Sequence, residues 1–261
     1  MANLRTVIVT GAYGAIGKAI ARQMAEKGFH TLLAGRDEEK LDGATKEIIR
    51  TTGNKNIRYE VVDLSQKASI LDFSQRWSVP LHILINNAAT GPRKRLETPE
   101  GIEMQWATNV LGYFWMTRYF TGFMEGVDDA RIVNVASYWA GGLNLDDVEY
   151  RRRRYDNDSA YRQSKQANRM LSVAFARELK PCNITVNACL SGDVNSKLSN
   201  SFGFGGHETP DEGADTPVWL ATAPELKGVT GKYFEHRHEV VCPFCRDISA
   251  VKKLYDLCDR Y

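Results

Sequence analysis

Residues Thr6–Gly17 read TVIVTGAYGAIG, and this stretch decides the fold. The first five residues form a short β-branched run, as expected of a strand with both faces buried, and the run stops at Gly11. Ile16, Ile20 and Met24 then recur every fourth residue, giving a helix one apolar face. Between strand and helix stand Gly11, Tyr13, Gly14, Ala15, Ile16 and Gly17. The small residues among them let the backbone pass close to a pyrophosphate, and the free N–H groups at the helix start attract its charge. Alone, the segment also admits a plainer reading, a tight strand-to-helix turn with no ligand.

The same alternation runs outward from this unit. Strands are expected at Thr31–Ala34, Ile57–Val62, His82–Ile85, Arg131–Ser137 and Ile184–Leu190. Helices are expected at Glu38–Arg50, Gln66–Trp77, Glu100–Gly126 (one long aromatic-rich helix) and Ser159–Leu179, the last stopped by Pro181. Apolar strands alternating with helices mean a parallel sheet covered on both faces. Right-handed crossovers make it an α/β, doubly wound Rossmann-type domain with a parallel sheet flanked by helices. There is no internal repeat or long linker, so one domain over residues 1–261 is the reading, with a variable tail from about residue 235.

Composition narrows the function classes. The 34 basic and 32 acidic residues leave a net charge of +2, without the basic excess of a nucleic-acid binder. No apolar run reaches the ~18 residues of a membrane helix, and the first residues lack the apolar stretch of a secretory leader. The five cysteines, Cys182, Cys189, Cys242, Cys245 and Cys258, are an odd, scattered set that reads as reduced thiols. The expectation is a cytoplasmic protein with a small-molecule substrate and no nucleic-acid or membrane partner. The sequence leaves self-association open.

Two further segments carry chemistry. The second strand ends Gly35-Arg36-Asp37. An acidic residue near this strand end takes a ribose 2′-hydroxyl, whereas an arginine accommodates a 2′-phosphate. Gly35 leaves room, and Arg36 offers a planar fork of donors, so NADP(H) is expected over NAD(H). Asp37 is the competing signal. In YRQSK, Tyr161 and Lys165 stand four apart, on one helical face. A free tyrosine titrates near ~10, and a neighbouring ammonium favours the phenolate. By itself this spacing is also that of an ordinary amphipathic helix.

Taken together and in order, TGAYGAIG (Thr10–Gly17), NNAA (Asn86–Ala89), NVLGYF (Asn109–Phe114), RIVNVAS (Arg131–Ser137) and YRQSKQAN (Tyr161–Asn168) resemble the short-chain dehydrogenase/reductase family over nearly the whole chain. The flavour is that of its retinol-dehydrogenase-like subgroup, from the Gly-Arg-Asp strand end, the long spacer between Ser137 and Tyr161, and SKQAN at Ser164–Asn168. The resemblance implies that Tyr161 is the general acid in reduction and the base in oxidation. Lys165 holds the nicotinamide ribose and depresses the tyrosine, Ser137 bonds the substrate oxygen, and Asn109 organises a water chain behind Lys165. Asp63 and Leu64 flank the adenine, and Asn87 and Ala88 line the cofactor cleft. Ser191, Gly192 and Val194 provide the backbone beside the nicotinamide.

The sequence departs from the family at several points. Ala15 and Ala89 replace usual glycines, Ser191-Gly192 replaces Pro-Gly, and Ser196 stands where a threonine commonly meets the cofactor amide. Val194 to about Asp211 is short and carries Gly203, Gly205 and Gly206, suggesting an open site under a mobile loop. The spacer Leu143–Asp158 holds Arg151, Arg152, Arg153 and Arg154 among Asp146, Asp147, Glu149, Asp156 and Asp158, which reads as a self-neutralising solvated loop. His236, His238, Cys242 and Cys245 are zinc-competent, and the two histidines would share one strand face. A strand end with ordinary thiols is the simpler reading, so no metal is expected. The functional expectation is an NADP(H)-dependent oxidoreductase, a carbonyl reductase, acting on a carbonyl or alcohol. The alternative is an NADP(H)-binding regulatory protein of the same fold with little turnover.

Overall fold

The computed structural model describes Leu4–Tyr261. Met1–Asn3, on which the no-leader reading partly rests, lie outside it. The strands are β1 (Thr6–Thr10), β2 (His30–Gly35), β3 (Ile57–Val61), β4 (Ile83–Asn86), β5 (Arg131–Val135), β6 (Thr185–Cys189), β7 (Tyr233–Glu235) and β8 (His238–Val240). The helices are α1 (Ala15–Glu26), α2 (Glu38–Thr52), α3 (Lys67–Arg76), α4 (Gly112–Phe120), α5 (Asn157–Glu178), α6 (Lys197–Ser201), α7 (Pro210–Thr222) and α8 (Ile248–Cys258). The strands form one sheet in the order β3-β2-β1-β4-β5-β6-β7-β8, parallel except for the last pair.

The pleat explains the apolar runs. Ile8 of β1 points into the core beneath α3, α4, α5 and α8, while Val7 and Val9 point into the core beneath α1, α2 and α7. Leu84 and Ile132 go to the first side, and Ile83, Ile85, Val133 and Val135 to the second. The inner strands are rich in apolar residues because both their faces are covered. A polar seam crosses this core. Asn86 donates to Asn134 at 2.9 Å, and Asn134 donates to Ser172 of α5 at 2.9 Å. The strand order reverses between β1 and β4, so the crevice beyond their carboxyl ends is where this architecture takes a ligand.

Two expectations about elements are corrected. Glu100–Gly126 is not one helix. Gly101 turns with φ +77, and Glu97 pairs with Glu103 in an antiparallel bridge. The buried Glu103 carboxylate accepts from the Gln105 and Trp106 N–H groups at 2.9 and 2.7 Å, which starts the helix at Met104. Trp106–Leu111 is then a π-helical turn, α4 follows, and Thr121–Phe123 is a 3-10 turn.

The spacer is self-neutralising but only partly solvated. Asp147, Val148, Glu149 and Tyr150 are buried. Asp147 accepts from the Arg151 N–H at 2.7 Å, and the Arg153 guanidinium stacks 3.8 Å from the Tyr150 ring centre. The tail joins the sheet and the core. β8 extends the sheet edge, and α8 buries Val251, Leu254 and Cys258 against the α5 side. Among the described residues no helix is long and apolar enough to cross a membrane.

Candidate active site

The site is built at the crevice from the turn after β1. Gly11 has φ +65, and a Cβ there would lie 2.8 Å from the Ala88 Cα. A Cβ on Gly17 would lie 2.6 Å from the Asn87 amide nitrogen. Gly14 caps α1 without any side-chain acceptor, leaving the first N–H groups of the helix for an anionic ligand. Thr10 ties this turn to the end of β4, accepting from the Asn87 and Ala88 N–H groups at 2.9 and 3.1 Å. The Asn87 amide donates to the Thr10 carbonyl at 2.8 Å. These residues fit a dinucleotide pyrophosphate, as a cradle of backbone that added side chains would fill.

The adenosine end is equally specific. A Cβ on Gly35 would strike the Tyr13 ring at 2.6 Å, so Tyr13 covers the end of β2. Arg36 is exposed. The Asp37 carboxylate caps α2 through the Lys40 N–H at 3.1 Å and also pairs with the Lys40 ammonium. The competing acid is therefore committed to the helix. Asp63 accepts from the Ser65 N–H and hydroxyl and from Gln66 at 2.9, 2.7 and 3.0 Å. Burial opposes its charge, but those bonds and the nearby Arg36 hold the carboxyl below its usual range. Leu64 is buried beside it.

At the other end, α5 brings Tyr161 and Lys165 beneath the end of β5, where Ser137 follows the strand. Ser137 is nearly buried, and its hydroxyl accepts the Trp139 N–H at 3.0 Å. Lys165 is 1% exposed, yet it carries an amine. Its Nζ donates to the Val135 carbonyl at 2.9 Å and lies 5.4 Å from the Tyr161 ring centre. Burial brings the Lys165 ammonium down to about 7. Burial likewise pushes the Tyr161 phenol up, although the Ser137 hydroxyl beside it pulls the other way. Burial and the Ser137 hydroxyl govern the phenol here, and Lys165 is not among the groups that shift it. The protein's own groups favour a neutral tyrosine, the form that can donate a proton.

Asn109 sits in the π-helical turn, fully buried. Its amide accepts from the Thr90 N–H at 2.8 Å and donates to the Thr90 carbonyl at 3.0 Å and to Ser164 at 3.3 Å. The side chain thus clamps the loop after β4 onto α5, and does not touch Lys165.

Several site residues escaped the sequence reading. Tyr113, four residues after Asn109, shares the Val135 carbonyl with Lys165, its hydroxyl donating at 3.3 Å. Arg169, the next residue on the Tyr161–Lys165 face, donates to the Ser137 carbonyl and, at 2.7 Å, to the Tyr233 hydroxyl. The four-residue spacing was visible for both, but their buried partners were not. Glu208 occupies the space a side chain at Gly192 would need, and its carboxylate accepts the Asp193 N–H. Ser191 is buried beside Gly192, and Val194 pairs with Glu208 in a short parallel bridge.

The expected open site is also corrected. Ser196 caps α6 by accepting the Ser199 N–H at 3.1 Å, with Ser199 bonding back at 2.9 Å. α6 then lays the Phe202 ring 5.0 Å from the Tyr161 ring and against Gly91. Phe204 meets Trp139 edge-on at 5.0 Å. The aromatic roof leaves a cleft of about 70 Å³, bounded by Ser137, Trp139, Tyr161, Gly192, Phe202 and Phe204. In the tail, His236 and Arg237 have positive φ and form the β7–β8 hairpin turn, so His236 and His238 do not share a strand face. Among the described residues no three His, Cys, Asp or Glu side chains are grouped to hold a metal.

A doubly wound sheet, a glycine-lined turn at its switch point and a Ser–Tyr–Lys cluster under the last crossover together define a nicotinamide-type oxidoreductase site. The chain belongs to the short-chain dehydrogenase family, whose model matches residues 5–203. It falls with the family's retinol-dehydrogenase-like members. It is 32% identical to mouse (Mus musculus) retinol dehydrogenase 13 over 272 residues, covering 96% of this chain and 81% of that one. A solved structure of an uncharacterized protein from Mycobacterium Paratuberculosis superposes with a TM-score of 0.82 at 27% identity, covering 98% of this chain and 92% of that one. A short chain dehydrogenase from Burkholderia cenocepacia, solved in complex with NADP, has a TM-score of 0.70 at 20% identity and shares the fold. It covers 88% of this chain and 95% of that one.

Proposed function

We propose that this oxidoreductase is an NADP(H)-dependent carbonyl reductase. The observation that carries this reading is the Ser137–Tyr161–Lys165 cluster, with Ser137 and Lys165 buried and Tyr161 half-buried on a small aromatic cleft. A bound nicotinamide supplies or takes the hydride. In reduction, Tyr161 donates its hydroxyl proton to the carbonyl oxygen, and the same group takes that proton back in oxidation. Ser137 donates a hydrogen bond to the substrate oxygen as negative charge builds there. Lys165 holds the nicotinamide ribose. When charged, it also favours the phenolate that is left after proton transfer. Tyr113 and Arg169 position the cluster from behind, through the Val135 and Ser137 carbonyls. The substrate class is carbonyl compounds with a flat apolar body, which Trp139, Phe202 and Phe204 can cover.

The test is a panel of aldehydes and ketones assayed with NADPH and with NADH, followed by absorbance of the reduced nicotinamide. Turnover with NADPH supports the reading. Tight NADPH binding without turnover on any panel member would favour the regulatory alternative.

Cofactor choice rests on Arg36 being exposed at the β2 end while Asp37 is committed to α2. NADPH is expected to bind more tightly than NADH. A hydrogen bond to a charged group contributes ~1.5–3 kcal/mol, so Arg36→Asp should weaken NADPH by roughly 10- to 100-fold. Fluorescence titration checks this, and equal wild-type affinities for the two cofactors would remove the basis for NADP preference.

The roof gives a specificity prediction. Phe202→Ala removes the ring lying against Tyr161 and widens the cleft. The ratio of kcat/KM for a bulky aryl ketone to that for a small aldehyde should rise roughly tenfold, a change of the size that one or two apolar contacts supply. An unchanged ratio would show that Phe202 does not bound the substrate.

A further inference from the structure

Cys242-Pro243-Phe244-Cys245 stands outside the chemistry above. After β8 the chain makes a single 3-10 turn, closed by the Cys245 N–H donating to the Cys242 carbonyl at 3.2 Å. The turn places the two sulfurs 3.0 Å apart, about 1 Å beyond a covalent S–S bond. Both residues are partly exposed. The other cysteines are unlike this pair: Cys189 and Cys258 are buried, and Cys182 lies against Glu125.

The surroundings distinguish the two thiols. The Cys245 S–H faces two acceptors, the Cys242 sulfur and, at 3.5 Å, the Arg169 carbonyl. The Arg169 guanidinium lies close by, stacked 3.6 Å from the Tyr233 ring centre and 3.8 Å from the Glu235 carboxylate. The hydrogen donated by Cys245 holds the Cys242 thiol well below its ordinary range against the effect of burial, with help from the Arg169 charge and the Phe244 and Cys245 N–H groups. Cys245 is pushed up by the same bond and by burial. One sulfur is thus set to attack and the other to follow.

The geometry points to a redox-active dithiol, in which Cys242 and Cys245 exchange with low-molecular-weight disulfides such as glutathione disulfide. The Cys242 thiolate attacks one sulfur of the disulfide, forming a mixed disulfide and releasing one thiolate. Cys245 then gives its proton to that thiolate or to water, and its sulfur attacks the Cys242 sulfur and expels the second thiolate. The protein loses two hydrogens and is oxidised, while the small disulfide is reduced to two thiols. A dithiol reductant reverses the sequence.

The full chain should be incubated with glutathione disulfide, quenched in acid and alkylated, then analysed by intact mass and peptide mapping. Two of its five thiols should disappear, with an internal bond mapped between Cys242 and Cys245 and reopened by dithiothreitol. Cys245→Ser should trap one glutathione on Cys242, whereas Cys242→Ser should leave Cys245 alkylatable. The pH profile of Cys242 alkylation in the wild type should have its midpoint more than one unit below the ~8.5 of a free thiol. Loss of no thiols from the wild type, with no adduct on Cys245→Ser, would overturn the proposal. The wild-type measurement is decisive even if a variant fails to fold.

Discussion

Tyr161→Phe is expected to lower turnover by at least ~10²-fold, the lower bound of what a positioned general acid contributes. The ring stays, so its packing against Phe202 and its place on α5 survive. Only the hydroxyl beside Ser137 goes, and with it the proton that the reduced carbonyl oxygen must receive. NADPH affinity and thermal stability should therefore match the wild type, which separates loss of chemistry from loss of structure. Ser137→Ala should fall between the two, because it removes a hydrogen bond to the oxygen and leaves the proton donor. The check is steady-state kinetics on an active carbonyl substrate with a parallel NADPH titration. Near-wild-type rates for Tyr161→Phe would mean that another group carries the proton.

Lys165→Met should abolish most turnover and weaken NADPH binding while making the cofactor-free protein more stable at neutral pH. The reason is burial: Lys165 is 1% exposed, and among the described residues its amine has one acceptor, the Val135 carbonyl. Burial brings the folded-state value down to about 7, whereas an unfolded lysine titrates near ~10.4. Between those values the unfolded chain holds a proton that the folded chain has released. Protonation therefore favours unfolding, and stability rises with pH across this window. Below pH 7 both states are protonated and the cost of the buried charge is at its full size. Each pH unit in the window is worth ~1.4 kcal/mol, so the cost amounts to a few kcal/mol at most. The advantage of Lys165→Met over wild type should be greatest at and below pH 7 and shrink as pH rises towards ~10. Urea unfolding of both proteins at a series of pH values tests this. A variant less stable than wild type at pH 7 would show that the Val135 bond outweighs desolvation. The paradox of an amine kept where it costs stability is the signature expected of a functional group.

The sheet is legible in the chain alone. Inner strands with both faces covered are rich in apolar residues, and TVIVT and RIVNV read as such strands because helices with four-residue apolar spacing follow them. The cofactor turn was equally legible, because close backbone approach demands glycine at positions such as Gly11 and Gly17 whatever surrounds them. Tyr161 and Lys165 could be paired from their spacing alone, since a helix places residues four apart on one face.

What only the tertiary structure decided is whatever depends on a distant partner. The break in the Glu100–Gly126 stretch comes from a carboxylate, Glu103, whose burial no local pattern announces. The Asn109 side chain clamps the backbone of Thr90, nineteen residues away in the chain, a partner that local spacing does not reveal. Asp37 looked like a rival to Arg36 until its cap on α2 was seen. The glycine-rich segment suggested an open mouth, but Phe202 reaches Gly91 and Tyr161 across the fold and closes it. In the tail, the spacing of His236, His238, Cys242 and Cys245 is compatible with zinc ligands, although ordinary thiols at a strand end are the simpler reading. A hairpin turn at His236 and Arg237 separates the histidines, and a 3-10 turn joins the two sulfurs. Local periodicity fixes which face a residue occupies, and long-range packing fixes what it meets there.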